Sequence, residues 1–325
     1  MTKVGIFSKT KPLGDISIYP ISKSENLDSL KYKRDGERWL DETKTLTTTI
    51  SRTRLEDVMT MLDTKIFEHR KTRRMNPDSK MTAKMISDLQ NMSLLTSLSD
   101  RLLVHEGHIE SVYQKHLYGR WYITNHDCNL QTLPRWLRKE LLADKYEYDL
   151  DAAHPSIILS IVGDDVLPNL KNYVDNKDQW RKELALYCGS TEQEVKDSIN
   201  ALNNLSKLNH IFTKTMRSEC LKKFNEHPFV KSYKNDMIVA SEHIIQYWVD
   251  SGNVFHEETD TKSKKLACVL QNIEAWIMEL AGKYIPDVEL ILHDAIYTTT
   301  PISQSDLCLI EIEVIKEYGV DIRFG

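Results

Sequence analysis

The amino-acid sequence predicts an α+β fold in which a small antiparallel sheet is combined with many helices. Two separate stretches predict the strands. Residues 146–151 alternate between large apolar and acidic side chains, whereas residues 288–299 form an apolar run, a polar apex and a second apolar run, as in a hairpin. Elsewhere the apolar residues recur mainly with helical spacing, including residues 37–117, so we expect helices in most of the chain.

Length and composition indicate an ordinary globular protein of one large or two modest domains. Of the 325 residues, 41% are hydrophobic and 28% are charged, and the net charge of −5 excludes a bulk polycation but not a local basic groove. Five scattered cysteines without a CxxC pair favour a reducing compartment. Because the sequence has neither a long apolar run nor a signal-peptide core, we expect a cytoplasmic protein without a membrane partner.

The first candidate site is the acidic side of residues 146–151. On an extended chain Glu147, Asp149 and Asp151 fall on one side, and like charges this close raise one another's pKa unless a cation neutralises them. A half-buried edge strand with a solvated acidic face would explain the same pattern. The functional interpretation is a platform for divalent metal ions.

The second candidate site is the apex of the predicted hairpin, His293-Asp294. A carboxylate at the end of an apolar run needs a partner. Two acidic positions far apart in sequence suit a site that is assembled in space, and two-metal phosphoryl transfer uses carboxylates to hold two Mg²⁺ ions about 3.5–4 Å apart. The two stretches together therefore predict a site for two Mg²⁺ ions, for which Mn²⁺ could substitute.

Basic residues are concentrated in three helical segments. The first lies at the C-terminal end of a helix predicted at 53–74. The commoner explanation for such residues is a solvated helix end whose positive charges complement the helix dipole. The functional interpretation is binding to the phosphate backbone of a nucleic acid. The second is Lys177, Arg181 and Lys182. In the third, a capping-box pattern at 190–193 predicts a helix to about residue 205 whose Lys196 could bind a triphosphate or be merely exposed. The cations at the end of the first helix include Arg70, Lys71, Arg73 and Arg74.

Two further segments combine polar and apolar residues. Residues 118–142 place Arg135 and Arg138 among aromatic residues, which suits nucleic-acid binding but more often reflects packing. A strongly apolar helix is predicted at about 263–284, with Gln271 and Glu274 as its polar exceptions. A buried pair of this kind needs hydrogen-bonding partners.

The order of these motifs resembles the palm of family A DNA polymerases and of the related single-subunit phage RNA polymerases. GR at 119–120, NLQTLP at 129–134, a strand ending in Asp149, LQ at 270–271 and HD at 293–294 follow one another along the chain. They are most similar to the compact polymerases of transposons and viruses, and the resemblance extends from residue 118 to residue 325. It implies a right-hand polymerase with an antiparallel palm sheet, helical fingers and a helical thumb, in the host cytoplasm if the source is viral.

The resemblance also divides the chain into four parts. Residues 1–117 are expected to be a mostly helical, thumb-like region, in which we assign no function to residues 1–35. Residues 118–162 and 263–325 would form the two parts of the palm. Residues 163–262 would be a helical fingers insert.

Carried over by position, the resemblance implies a role for each motif residue. Asp149 and Asp294 would be the catalytic metal ligands, together with the Leu150 backbone carbonyl and with Asp151 as a third ligand or a supporting group. His154 stands where the family selects the sugar, and its bulk favours dNTPs. The lysine that binds the triphosphate in this family matches Lys196 best. Because the family's usual motif spacing is absent here, Arg181 and Lys182 are the alternative. Contacts with template or primer are implied for Gly119, Arg120, Asn129, Gln131, Gln271 and His293.

The function implied is template-directed transfer of nucleotides from dNTPs to a primer 3′-hydroxyl on DNA. Expected partners are a DNA primer–template, with RNA as the alternative, nucleoside triphosphates and a replication accessory protein. A primer-independent RNA polymerase or primase is the nearer alternative. The other alternative is a non-catalytic accessory protein that binds nucleic acid. The irregular lysine motif favours this alternative, whereas the two retained carboxylates argue against it.

Overall fold

The structure is a computed structural model that describes residues 31–32, 38–75, 79–116, 119–124, 130–205, 216–255 and 261–325. These residues form an α+β fold with two antiparallel sheets, as the sequence predicts. The sequence also indicates short strands at 4–7 and 16–21, and both lie outside the described residues. None of the helices within these ranges is long and apolar enough to span a bilayer.

The first sheet has four strands in the order β1-β2-β3-β4: Lys31–Tyr32, Arg38–Thr49, His108–His116 and Trp121–Ile123. Between β2 and β3 the chain forms α1, Arg52–Met75, and α2, Ser79–Val104, which pack against each other. Helices were predicted across 37–117. That prediction is confirmed for α1 and α2 but wrong at both ends, because residues alternate between buried and exposed along β3 and five threonines favour an extended β2.

The second sheet consists of β5, Tyr146–Asp149, β6, Val288–Ile291, and β7, Ala295–Thr298, in the order β5-β7-β6. Both strands of the predicted hairpin and the strand that ends in Asp149 are therefore confirmed. The central strand β7 is buried along its whole length, as expected for a strand with a neighbour on each side. Asp149 lies opposite Ala295, so β5 ends beside the apex of the hairpin.

The helix at 262–284 packs against β7, and helices form the segment between β5 and β6. The predicted helix at 190–205 is present, but its capping box consists of Thr191 and Glu194 rather than of residues 190 and 193. The predicted apolar helix at 263–284 is confirmed within one residue. In chain order, the described α-helices after α2 are α3, Arg135–Leu141; α4, Ala153–Val162; α5, Pro168–Asp175; α6, Lys177–Cys188; α7, Glu192–Asn203; α8, Ser218–Glu226; α9, Pro228–Asp250; α10, Lys262–Tyr284; and α11, Gln304–Tyr318.

One buried hydroxyl joins the two sheets beside the hairpin apex. Tyr113 of β3 donates from its hydroxyl to the Ile291 carbonyl at 3.1 Å, and the Ile291 N–H donates back to that hydroxyl at 3.0 Å. Nearby, the Thr48 hydroxyl donates to the Glu289 carbonyl at 2.9 Å. Because these contacts lie on β6, the first sheet fixes the strand that leads into His293-Asp294.

We predict that Tyr113→Phe lowers the free energy of unfolding by about 1–3 kcal/mol, because the Ile291 N–H loses a buried partner and the Ile291 carbonyl keeps only the Gln131 amide as a side-chain donor. Urea denaturation measures the loss. Tyr284→Phe, at a tyrosine that is 53% exposed, is the matched control and should change stability by less than about 0.5 kcal/mol. Equal stability of the two variants would contradict the joining role of Tyr113.

Candidate active site

A cavity of about 680 Å³ lies where the ends of β5 and of the β6–β7 hairpin face α6, α7 and α10. Asp149 and Asp294 both line it, and the Leu150 N–H donates to the Asp294 carbonyl at 2.8 Å, which holds the two acidic positions side by side. The structure thus brings together residues that the sequence places far apart. The predicted site residues that line this cavity are Arg120, Arg135, Asp149, Leu150, Asp151, His154, Arg181, Lys196, Gln271 and Asp294.

The chain turns sharply immediately after β5. Asp149 and Gly325 exchange backbone hydrogen bonds of 2.9 and 3.2 Å, and the Asp151 N–H donates to the Arg323 carbonyl at 2.8 Å. Ala152 then adopts a left-handed conformation with φ of +48°, which is uncommon for a residue with a Cβ. This turn starts α4 at once, so that Asp149 and His154 line the same cavity within five residues of each other.

The carboxylates of the cavity differ in their partners. Asp149 accepts from Arg135 at 3.2 Å, and Asp151 is paired with Lys177. Asp294 forms no ion pair with another residue of the described ranges. Although its side chain is accessible from the cavity, desolvation by the surrounding protein, followed by the charges of Glu274 and Asp149, raises the pKa of Asp294. Of the three aspartates that line the cavity, Asp294 is thus the one without an ion pair in the described residues.

The donors that line the cavity are compatible with metal binding. Across the residues that the structure describes, no three His, Cys, Asp or Glu side chains are grouped closely enough to hold a metal ion. Two carboxylates, Asp149 and Asp294, nevertheless line one cavity together with Leu150. Mg²⁺ is commonly held by one or two carboxylates, with substrate phosphates and water completing its shell, so this donor set fits Mg²⁺ without a third acid.

Basic side chains from the helical segment line the cavity as well. Lys177 and Arg181 come from α6, and Lys196 comes from α7. Arg181 is oriented by a 3.0 Å hydrogen bond from its Nε to the Tyr173 hydroxyl. Lys182, in contrast, is exposed on α6 and does not line the cavity, so its predicted role in nucleotide binding does not fit its position. The structure adds Lys264 of α10 to the lining, which the sequence did not indicate.

An ion-pair network closes the cavity beside α10. Arg120 donates to Glu274 from Nε at 2.8 Å and from Nη2 at 3.0 Å, and the His154 Nε2 lies 3.2 Å from Glu274 Oε2. Burial raises the pKa of Glu274, but contacts with His154 and Arg120 outweigh burial and lower it below its ordinary value. Glu274 was noted in the sequence only as a polar exception that needs partners, and the structure supplies them.

Gly119 allows this network to form. Its φ is +83°, and a Cβ on it would lie 3.1 Å from Ala275 Cβ and 3.1 Å from Asn272 Oδ1. Only glycine tolerates both constraints, so the chain can pass close to α10 and place Arg120 against Glu274. Gly119 and Arg120 thus both contact α10. Gly119 is buried, so its predicted contact with template or primer does not fit this arrangement, whereas Arg120 also lines the cavity and its predicted contact stays a prediction.

Several other predicted nucleic-acid contacts lie inside the fold. The Gln131 amide bonds to the backbone of Trp121, Ile123 and Ile291 at 2.9–3.0 Å, which ties β4 to β6. Arg138 is 9% exposed and donates to the Leu133 carbonyl at 2.8 Å. Both positions argue against contact with nucleic acid. Asn129 lies outside the described residues.

His293 packs next to the acids rather than into the cavity. Its ring centroid is 4.8 Å from that of Tyr122, and His293 is not among the described residues that line the cavity. Burial, with the nearby charges of Arg120 and Arg138, lowers the pKa of His293 to about 4 despite the opposite effect of Glu274. The imidazole is therefore neutral at pH 7.

The predicted basic end of α1 is on the surface where its side chains are described. Arg70 and Lys71 are both exposed. Arg73 and Arg74 belong to the last turn of α1, and their side chains lie outside the described part of the structure. Arg70 and Lys71 do not line the cavity. Their binding to a phosphate backbone remains a prediction.

Comparison with known proteins adds no family to this description. No protein-family model matches the chain, and no curated protein matches it significantly. Any functional conclusion therefore depends on the motifs and on the cavity itself.

We predict that Arg120→Met lowers the free energy of unfolding by about 3–5 kcal/mol, because it leaves the buried Glu274 carboxylate without its main cation. Arg135→Met is the matched control. Arg135 also pairs with a cavity acid but its side chain is 51% exposed, so its loss should cost no more than about 1 kcal/mol. Urea denaturation compares the two, and equal losses would contradict the distinction between buried and exposed pairs.

Proposed function

We propose that the chain is a template-directed nucleic-acid polymerase that transfers nucleotides from dNTPs to a primer 3′-hydroxyl on DNA. The observation that carries this proposal is the distribution of charge around one cavity. Asp149 and Asp294 come from the sheet, and Lys177, Arg181 and Lys196 come from the helices opposite. A nucleoside triphosphate with its metal ions needs both kinds of group: acids for the metal and basic side chains for the phosphates.

Asp149, Asp294 and the Leu150 carbonyl would hold Mg²⁺, with Asp151 available as a further ligand. Oxygen donors of this kind also accept Mn²⁺. Bound Mg²⁺ supplies neutralisation of the phosphate charge and activation of the attacking hydroxyl. The raised pKa of Asp294 supports the assignment, since a bound cation would offset both the desolvation and the charges of Glu274 and Asp149 that raise it.

The protein's own contribution is positioning. Lys177 and Arg181 present two cations one turn apart on α6, and Lys196 adds a third from α7. When a triphosphate binds, Lys177 would exchange its contact with Asp151 for a phosphate oxygen, which frees that carboxylate. Holding the triphosphate in line with the primer hydroxyl accounts for most of the catalysis in this reaction class.

The proposed right-hand architecture assigns a role to each part of the fold. The β5-β7-β6 sheet corresponds to the palm, the helices α5–α9 to the fingers and the α1–α2 pair to the thumb. Exposed Arg70 and Lys71 on α1 would contact the phosphates of duplex DNA. A replication accessory protein could dock outside these surfaces. His154, which lines the cavity in the first turn of α4, would disfavour a ribose 2′-hydroxyl.

The decisive experiment is extension of a labelled DNA hairpin primer in Mg²⁺, with dNTPs and rNTPs supplied separately. We predict extension with dNTPs, and a decrease of more than about 100-fold in Asp149→Asn and in Asp294→Asn, because each loses a metal ligand. Asp165→Asn, at an exposed aspartate away from the cavity, should extend normally.

The other outcomes separate the alternatives. Extension with rNTPs alone would indicate an RNA polymerase, and product without a primer would indicate a primase. If the protein binds DNA tightly but extends neither substrate, the polymerase proposal is wrong and the accessory-protein alternative is favoured.

A second prediction separates the two candidate triphosphate lysines. Lys196→Ala should raise the Kd for a dNTP by roughly 10-fold, because it removes a charged donor to the phosphates. Lys182→Ala should leave that Kd unchanged, because Lys182 does not line the cavity. Isothermal titration calorimetry with dATP in Ca²⁺ or Mg²⁺ measures both, and the reverse result would place the phosphates on the other face of α6.

A further inference from the structure

Glu274 is a buried carboxylate that holds two cavity residues from two other elements. It lies one helical turn after Gln271 on α10, and 2% of its side chain is exposed. Arg120 reaches it from the residue before β4, and His154 reaches it from the first turn of α4. Arg120, His154 and Glu274 all line the cavity that contains Asp149 and Asp294.

The three contacts of Glu274 leave little freedom to either partner. Both nitrogens of the Arg120 fork are engaged, at 2.8 and 3.0 Å, so one face of the carboxylate is fixed by a bidentate pair. Glu274 Oε2, fixed in this way, lies 3.2 Å from the His154 Nε2. This carboxylate oxygen limits the space into which the imidazole can turn, whereas a histidine without such a neighbour rotates about two side-chain bonds.

Stability alone does not explain a buried network at this place. Replacing a buried ion pair by apolar residues of similar size is often neutral or stabilising, so buried charges are weak support for a stabilising role. The network also lies on the wall of an accessible cavity rather than in the middle of the core, with 16% of the His154 side chain exposed. A network in this position can influence what the cavity accepts.

We propose that Glu274 is a positioning residue that sets the choice between deoxyribonucleotides and ribonucleotides by holding His154 beside the nucleotide sugar. This inference rests on the proposed function. A held ring rejects the additional oxygen of a ribose, because the ring cannot move aside. A ring that is free to rotate accommodates that oxygen at small cost, so loss of Glu274 relaxes the selection without removing the imidazole.

The test is the ratio of kcat/KM for dNTP to kcat/KM for rNTP in primer extension, measured for the wild type and for Glu274→Gln. We expect the ratio to fall by about 10-fold or more, which is within the range that a single steric contact supplies. The matched control is Glu279→Gln. Glu279 lies on the same helix and pairs with Lys115 and Trp121 outside the cavity, so the same change of carboxylate to amide should leave the ratio unchanged.

A double variant distinguishes positioning from a general structural effect. His154→Ala should lower the ratio by itself, and adding Glu274→Gln to it should lower the ratio no further, because Glu274 acts through His154. If Glu274→Gln does not fold, Glu274→Asp replaces it. Aspartate keeps a charge for Arg120 but is one methylene shorter, so it withdraws from His154.

Three results would contradict this inference. Reduced stability of Glu274→Gln with an unchanged ratio overturns the inference and leaves Glu274 a structural residue, while the polymerase proposal stands. An equal fall in the ratio with and without His154 also overturns it. If the wild type incorporates no nucleotide at all, the proposed function fails first and this inference fails with it.

Discussion

The pairing of β5 with β7 is the constraint on which the rest of the structure depends. The hydrogen bond from the Leu150 N–H to the Asp294 carbonyl continues this pairing past the end of both strands. It brings together two carboxylates that are otherwise separated by the whole helical segment. Because side chains alternate along a strand, a shift of one residue in this register would move the Asp149 side chain to the opposite face of the sheet, away from Asp294.

Placing acids together creates an electrostatic problem that the surrounding residues partly solve. Arg135 neutralises Asp149, Lys177 neutralises Asp151, and Arg120 neutralises the buried Glu274, which also contacts His154. Asp294 keeps a raised pKa. Among the acids of the cavity, Asp294 is therefore the one without an ion pair in the described residues, and the cations Arg181 and Lys196 line the same cavity.

The local pattern of the sequence was sufficient for the second sheet and for the long helices. Alternation at 146–151, the apolar runs on either side of His293-Asp294 and the apolar spacing of α10 are properties of neighbouring residues, and the structure has the elements they predict. Strand β2 was missed because its residues, RWLDETKTLTTT, carry few apolar side chains to show a period of two. Its pairing with β3 is a tertiary contact that no local pattern contains.

The site was only partly predictable for the same reason. Residue type and motif order identified Asp149, Asp294, His154 and Lys196, all of which line the cavity. Gln131 and Arg138 were misjudged, because an amide or a guanidinium can bond to backbone as readily as to a ligand, and only the fold decides which. For Glu274 the signal was present: an acid within an apolar helix has to be paired, although the sequence could not name the partner.

The most direct test of the account is a crystal structure with Mn²⁺ and a non-hydrolysable dNTP, in which anomalous scattering locates the metal. We predict Mn²⁺ bound by the carboxylates of Asp149 and Asp294, with the triphosphate against α6 and α7. A dNTP bound elsewhere, or Mn²⁺ held away from these two aspartates, would contradict the claim that the two acidic stretches form one catalytic centre.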